Sequence, residues 1–128
     1  MLFRSEVPSL LSRHKIAVVP SVVAADGDQE GLGLVAVEAM GCGCAVLASD
    51  LPALRDVVTD RETGVLTEPG NVIALANAIE ELLLDDAASE VLAQRGQQWA
   101  RARFDWSTVA ADYDRAYQLL VEQHRPCE

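Results

Sequence analysis

The sequence predicts an α/β domain built on three short parallel strands, with flanking helices and a helical C-terminus. Short apolar runs bounded by turn residues alternate with segments of helical periodicity, the order that a parallel sheet with helical crossovers requires. The first run, Ile16 to Val19, is continuous in polarity rather than alternating, as in a strand buried on both faces,. The 128 residues suffice for one domain of ~100–150 residues with a single core.

Each element has a local reason. Pro8 in a first turn, followed by Leu10 and Leu11, starts a short helix that closes near His14,. Ile16 to Val19 is an apolar strand between Lys15 and Pro20. A polar loop runs from Ser21 through Gln29, with Asp26-Gly27-Asp28 as its turn,. Leu34 to Met40 reads as a helix ended by Gly41 and Gly43, and Ala45 to Ala48 as the second strand. Ser49 to Pro52 leads into a short helix, Ala53 to Val58, and Gly64 to Thr67 forms the third strand. Val72, Leu75, Ala76, Ile79, Leu82 and Leu83 then recur on one helical stripe,. Two more helices follow, near Glu90–Arg103 and Thr108–His124, with Ser107 as the expected N-cap of the second,. Val109, Tyr113, Ala116, Tyr117 and Leu120 share one face of that last helix. With Trp99, Phe104 and Trp106, its tyrosines are expected to cover the core. Only three strands, and a helix with no strand before it, make residues 6–105 the second half of a Rossmann-like domain. Residues 106–128 form its C-terminal helix.

Composition narrows the function. Ten basic against twenty acidic residues leave a net charge of −10 and a pI near 4.5. That balance excludes a phosphate-backbone binder, so no nucleic-acid partner is expected, and it opposes attraction to anionic lipid. Half the residues are hydrophobic, too many for a disordered chain. No apolar run approaches the ~18 residues of a membrane span, and no signal peptide is evident. Cys42, Cys44 and Cys127 make no disulfide framework, which points to a cytoplasmic location. Cys42-x-Cys44 supplies two of the four ligands zinc needs, and His14 and His124 complete no recognised pattern, so no metal site is expected.

The stretch richest in chemistry is Glu30-Gly31-Leu32-Gly33-Leu34-Val35-Ala36-Val37-Glu38. It lies where a strand's carboxyl end passes into a helix, the crevice in which open α/β sheets bind ligands. Glycines there let backbone approach a ligand closely. The amides of Gly33, Leu34 and Val35 are expected to be unpaired at the helix N-terminus, where they and the helix dipole favour an anion. Glu38 follows Gly33 by about 7.5 Å along the helix axis. Its side chain leans back toward the N-terminus, where two carboxylate oxygens can hold neighbouring ribose hydroxyls. Glu30, in the loop, is placed to hold hydroxyls of a second sugar. A hydrolase acid–base pair is the other use of two glutamates, and the glycine context favours binding.

This stretch resembles the donor-binding C-terminal domain of retaining glycosyltransferases of the GT-B fold, family 4. The likeness begins at Val18-Val19-Pro20-Ser21 and runs through Glu30-Gly31-Leu32-Gly33-Leu34 to Glu38-Ala39-Met40, which together form that family's Glu-x7-Glu motif. Cys42-Gly43, Val46-Leu47-Ala48-Ser49, Asp56-Val57-Val58, Thr63-Gly64-Val65-Leu66, Pro69-Gly70 and Phe104-Asp105-Trp106 follow in the family's order. The resemblance implies that Glu30 contacts the transferred sugar, that Gly31, Leu32, Gly33, Leu34 and Val35 line sugar and pyrophosphate, and that Glu38 binds ribose. It implies a nucleotide-diphosphate-sugar donor, transfer of a hexose-type sugar with retention, and no metal or other cofactor.

Departures are specific. Leu32 stands where an aromatic is common, Ala45 replaces a frequent proline, and Pro52-Ala53 replaces a common Gly-Gly. The family's Arg and Lys for the leaving diphosphate, its base-binding strands and its N-terminal acceptor domain have no counterpart in this sequence. The expectation is a truncated donor-binding domain that is inactive alone and self-associates through the exposed edge of the Ile16–Val19 strand. Met1-Leu2-Phe3-Arg4-Ser5 does not resemble the family. It reads as a non-native leader of the kind a sequencing adapter encodes, or as a genuine exposed one. The rival functional readings are a GT-B sugar-nucleotide epimerase fragment and a non-catalytic α/β nucleotide-binding module.

Overall fold

The computed structural model describes residues 6–123. The expected leader Met1–Ser5, together with His124, Cys127 and the end of the C-terminal helix, lies outside the described residues. Three strands, β1 (Ile16–Val19), β2 (Ala45–Ser49) and β3 (Val65–Thr67), form one parallel sheet in the order β1-β2-β3. Register pairs Val18 with Leu47 and Leu47 with Val65. Six helices complete the order: α1 (Val7–Leu11), α2 (Leu34–Gly41), α3 (Pro52–Arg55), α4 (Val72–Leu84), α5 (Asp86–Phe104) and α6 (Trp106–Gln123).

Central strand β2 is buried along its whole length. Side chains alternate across a strand, so β2 divides the core into two layers. Val46 and Ala48 join Ala36, Met40, Leu54, Val57 and Val58 beneath α2 and α3. Ala45 and Leu47 join Val65, Ala78, Leu82 and Leu92 beneath α4 and α5. Burial on both faces, expected of β1, fails there and is found in β2 instead. In β1, Ile16 and Ala17 are half-buried and Val18 is 40% exposed. Among the described residues β1 has one ladder neighbour, and α1 is too short to roof it.

Helix boundaries differ where caps decide them. Asp85 accepts the Ala88 N–H at 2.9 Å and starts α5 at Asp86, four residues before the expected Glu90. α6 starts at Trp106, and the cap is Asp105 rather than Ser107. The Asp105 carboxylate accepts both the N–H and the hydroxyl of Ser107. On α4 the stripe is only partly buried: Leu82 reaches the core and Leu75 and Ile79 pack against it, joined by Ala78 from outside the stripe, whereas Val72 and Leu83 face solvent. The aromatic expectation fails on α6. Trp106 is 85% exposed, Tyr113 and Tyr117 are exposed with it, and beyond Val109 every described side chain of α6 is exposed. α6 packs against α5 and does not reach the sheet core. Trp99 does contribute, packed on the α2–α3 layer with Phe104 at 5.7 Å and the Arg103 guanidinium over its ring.

Candidate functional site

The site is built at the turn from β1 into α2. Gly33 is the N-cap of α2 with φ +66°, a left-handed conformation that side chains disfavour,. It is buried, and a Cβ there would lie 2.9 Å from Leu54 Cδ2 and 3.1 Å from Val57 Cγ2. Leu54 of α3 thus sits directly behind the turn, and the left-handed φ is what requires glycine there. Arg55 of α3 pairs with Asp50, Nη2 to Oδ2 at 2.9 Å. That contact holds the Asp50 carboxyl below its ordinary pKa and raises that of Arg55.

Glu30 is half-buried and turned back onto the turn it precedes. Its Oε1 accepts the Gly33 N–H at 3.2 Å, and Ser21 Oγ donates to Oε2 at 3.4 Å. The amide expected to be free at Gly33 is therefore occupied, which corrects the sequence expectation. A carboxylate three residues upstream satisfies it. Gly33 O accepts the N–H groups of Ala36 and Val37 at 2.9 and 3.2 Å. This leaves the N–H groups of Leu34 and Val35 without a hydrogen bond among the described residues. Those two residues, with Gly31 and Leu32, are exposed.

Glu38 is exposed on α2. It lines two shallow clefts, one with Phe104 and Arg101 of α5 and one with Val7, Pro8 and Cys42. Both clefts also include Gly41, at the C-terminal end of α2, and neither includes Glu30. Cys44 is buried, and its thiol donates to the carbonyls of Leu11 and His14 at 3.2 and 3.3 Å. Burial, then the neighbouring Cys42, pushes that thiol's pKa up. Cys44 ties α1 to β2 and has a packing role. A carboxyl-end crevice lined by Ser49, Thr67 and Asn71 also opens beside the loop. In sequence these residues are strand ends and a turn, and the one signal they carry is the helix-capping pattern of Asn71.

Residues 1–99 match the family model described as glycosyl transferases group 1. A phosphatidyl-myo-inositol mannosyltransferase of Mycobacterium leprae is 44% identical over 92 residues, covering 72% of this chain and 24% of that protein. A glycogen synthase of Mycobacterium tuberculosis is 35% identical over 116 residues, covering 91% of this chain and 27% of its own length. Sucrose-phosphate synthase from Thermosynechococcus elongatus superposes with a TM-score of 0.78 at 37% identity, over 89% of this chain and 27% of that one. Anabaena HepE, solved in complex with UDP, superposes with a TM-score of 0.77 at 30% identity, over 93% and 31%. The chain spans about a quarter of the length of the curated relatives it matches. On the family match, the relatives' identity and the shared sheet, the chain belongs to the glycosyl transferases group 1 family, as part of the C-terminal domain of the GT-B fold.

Proposed function

We propose that the chain is the donor-binding part of a retaining glycosyltransferase that uses a nucleotide-diphosphate sugar and transfers a hexose-type unit. One observation carries the reading: the left-handed Gly33 cap, braced by Glu30, leaves the amides of Leu34 and Val35 free at the start of an eight-residue helix. Free amides at a helix start attract the pyrophosphate. Glu30, beside them, holds hydroxyls of the transferred sugar through oxygen lone pairs that Gly33 and Ser21 leave available. Glu38 accepts from the ribose hydroxyls. Gly31 and Leu32 give the sugar a surface free of side-chain charge. Relatives support the donor class: HepE is solved with UDP-glucose, and a mycobacterial relative is named GDP-mannose-dependent.

The acceptor domain and the cations for the leaving diphosphate belong to the part of the parent this chain does not span. The chain alone therefore transfers no sugar, since transfer needs an acceptor held against the donor carbon. A cytoplasmic setting is part of the same reading, supported by the free thiols Cys42 and Cys44. Calorimetric titration of the parent enzyme with UDP-glucose and GDP-mannose tests the proposal. Saturable binding of one of them, weakened by substitution at Glu38, supports it; binding of neither overturns it.

A further inference from the structure

A second crevice opens on the other side of the loop that leads to Glu30. Pro20 and Val22 line it, while Ser21 between them bonds Glu30, the alternation an extended chain imposes on successive side chains. The remaining lining includes Ser49 and Thr67 at the carboxyl ends of β2 and β3, and Asn71 and Leu75 at the start of α4. Ligands of open parallel sheets sit outside such strand ends. The cavity measures about 200 Å³. Sites for drug-sized molecules run to ~300–1,000 Å³, so this one admits a single ring rather than a chain.

Ser49 sets the chemistry. It is 4% exposed, and its hydroxyl has no hydrogen-bond partner among the described residues. No sealed side-chain oxygen there lacks a partner, so this hydroxyl opens into the crevice that Ser49 lines. Accessible from the crevice and unpaired within the protein, it is free to donate to and accept from a ligand. Pro20, Val22 and Leu75 supply carbon surface around it. At the rim, Asn71 Nδ2 donates to Glu68 Oε2 at 2.8 Å, and Asn71 Oδ1 accepts the Ala74 N–H at 2.9 Å. One Glu68 oxygen is left to accept from a ligand. That carboxylate and the net charge of −10 oppose an anion,. Carbon walls with a hydroxyl, an amide and a carboxylate oxygen instead suit a neutral polyol ring. Its C–H face packs on carbon while its hydroxyls exchange hydrogen bonds with the polar groups.

We propose that this crevice binds one neutral pyranose ring, a sugar distinct from the one assigned to Glu30. The proposal stands on the crevice and is independent of the donor reading. It is tested by titrating the ¹⁵N-labelled 128-residue chain with methyl α-D-glucopyranoside and with methyl α-D-mannopyranoside. Saturable shifts of the Ser49, Thr67, Asn71 and Val72 amides are expected with at least one of them. Ser49→Ala removes one neutral hydrogen bond and should weaken that binding about two- to tenfold. Val22→Trp, at an exposed loop position, closes the crevice without touching the core and should abolish the shifts. No saturable shift at these amides, full affinity in Ser49→Ala, or binding that survives Val22→Trp overturns the proposal. The donor reading is tested separately, by the calorimetric titration of the parent enzyme, so failure of that reading and failure of this one are separately visible.

Discussion

The Glu30 carboxylate accepts the backbone N–H of Gly33 at 3.2 Å, so a candidate sugar-binding group also braces the helix cap. The two roles separate by substitution. Glutamine retains an amide oxygen to accept from Gly33, whereas alanine loses it. In the parent enzyme, Glu30→Gln should lower transfer while leaving affinity for the free nucleotide diphosphate nearly unchanged. Glu30→Ala should lower both. Steady-state rates beside calorimetric affinities check this, and a glycosyl adduct trapped on Glu30 would overturn a non-nucleophilic role.

The Glu38 carboxylate makes no hydrogen bond among the described residues and stands exposed beside two clefts. A hydrogen bond to a charged group is worth ~1.5–3 kcal/mol, so Glu38→Gln should weaken donor binding in the parent about ten- to a hundredfold. Folding should survive, because an exposed side chain of the same shape is replaced. Unchanged donor affinity would remove Glu38 from the site.

Two glycines are required for different reasons. Gly33→Ala imposes φ +66° on a side chain and presses Cβ on Leu54, an expected loss of about 1–3 kcal/mol. Gly96, inside α5, has ordinary φ, but a Cβ there would lie 2.7 Å from Thr63 O and 3.3 Å from Met40 Cγ. Gly96→Ala should also cost about 1–3 kcal/mol, through overpacking, although alanine is the better helix former. Urea melts of both variants measure this, and a stabilised Gly96→Ala would contradict the close approach of α5.

Asp105 gives α6 a pH dependence. Hydrogen bonds from the Ser107 side chain, then its backbone, hold the Asp105 carboxyl below its ordinary pKa. The capping contribution is therefore complete above the unfolded value of ~3.9 and lost as pH falls through the lower folded one. Helical circular dichroism should decline in that acid range. Asp105→Asn, which still caps, should lose this part of the pH dependence.

The isolated chain should bind UDP and GDP only weakly. Helix-end amides supply at most ~2 kcal/mol toward an anion, whereas millimolar affinity takes ~4 kcal/mol. Micromolar affinity or any turnover by this chain would contradict the assignment of the missing cations and acceptor to the rest of the parent. The β1 edge should also promote self-association. Sedimentation velocity should show concentration-dependent dimers that Val18→Lys, at a 40% exposed edge position, diminishes.

Sequence by itself determined the order of strands and helices, the parallel sheet and the position of the glycine cap. Continuous apolar runs such as Ala45–Ala48 and a glycine before a helix are local signals that need no partner to be read. Tertiary structure alone decided which apolar stripes are covered. Val72 and Leu83 share the α4 stripe of Leu82, yet only Leu82 is buried among them, because periodicity records that a helix has an apolar face and not whether anything lies against it. It decided the starts of α5 and α6 as well, where Asp85 and Asp105 act as caps through backbone geometry that an acidic residue's identity does not specify. It also decided the fate of the Gly33 amide. A free helix-end donor can be inferred from chain position, but its capture by Glu30 depends on a side chain folding back through space.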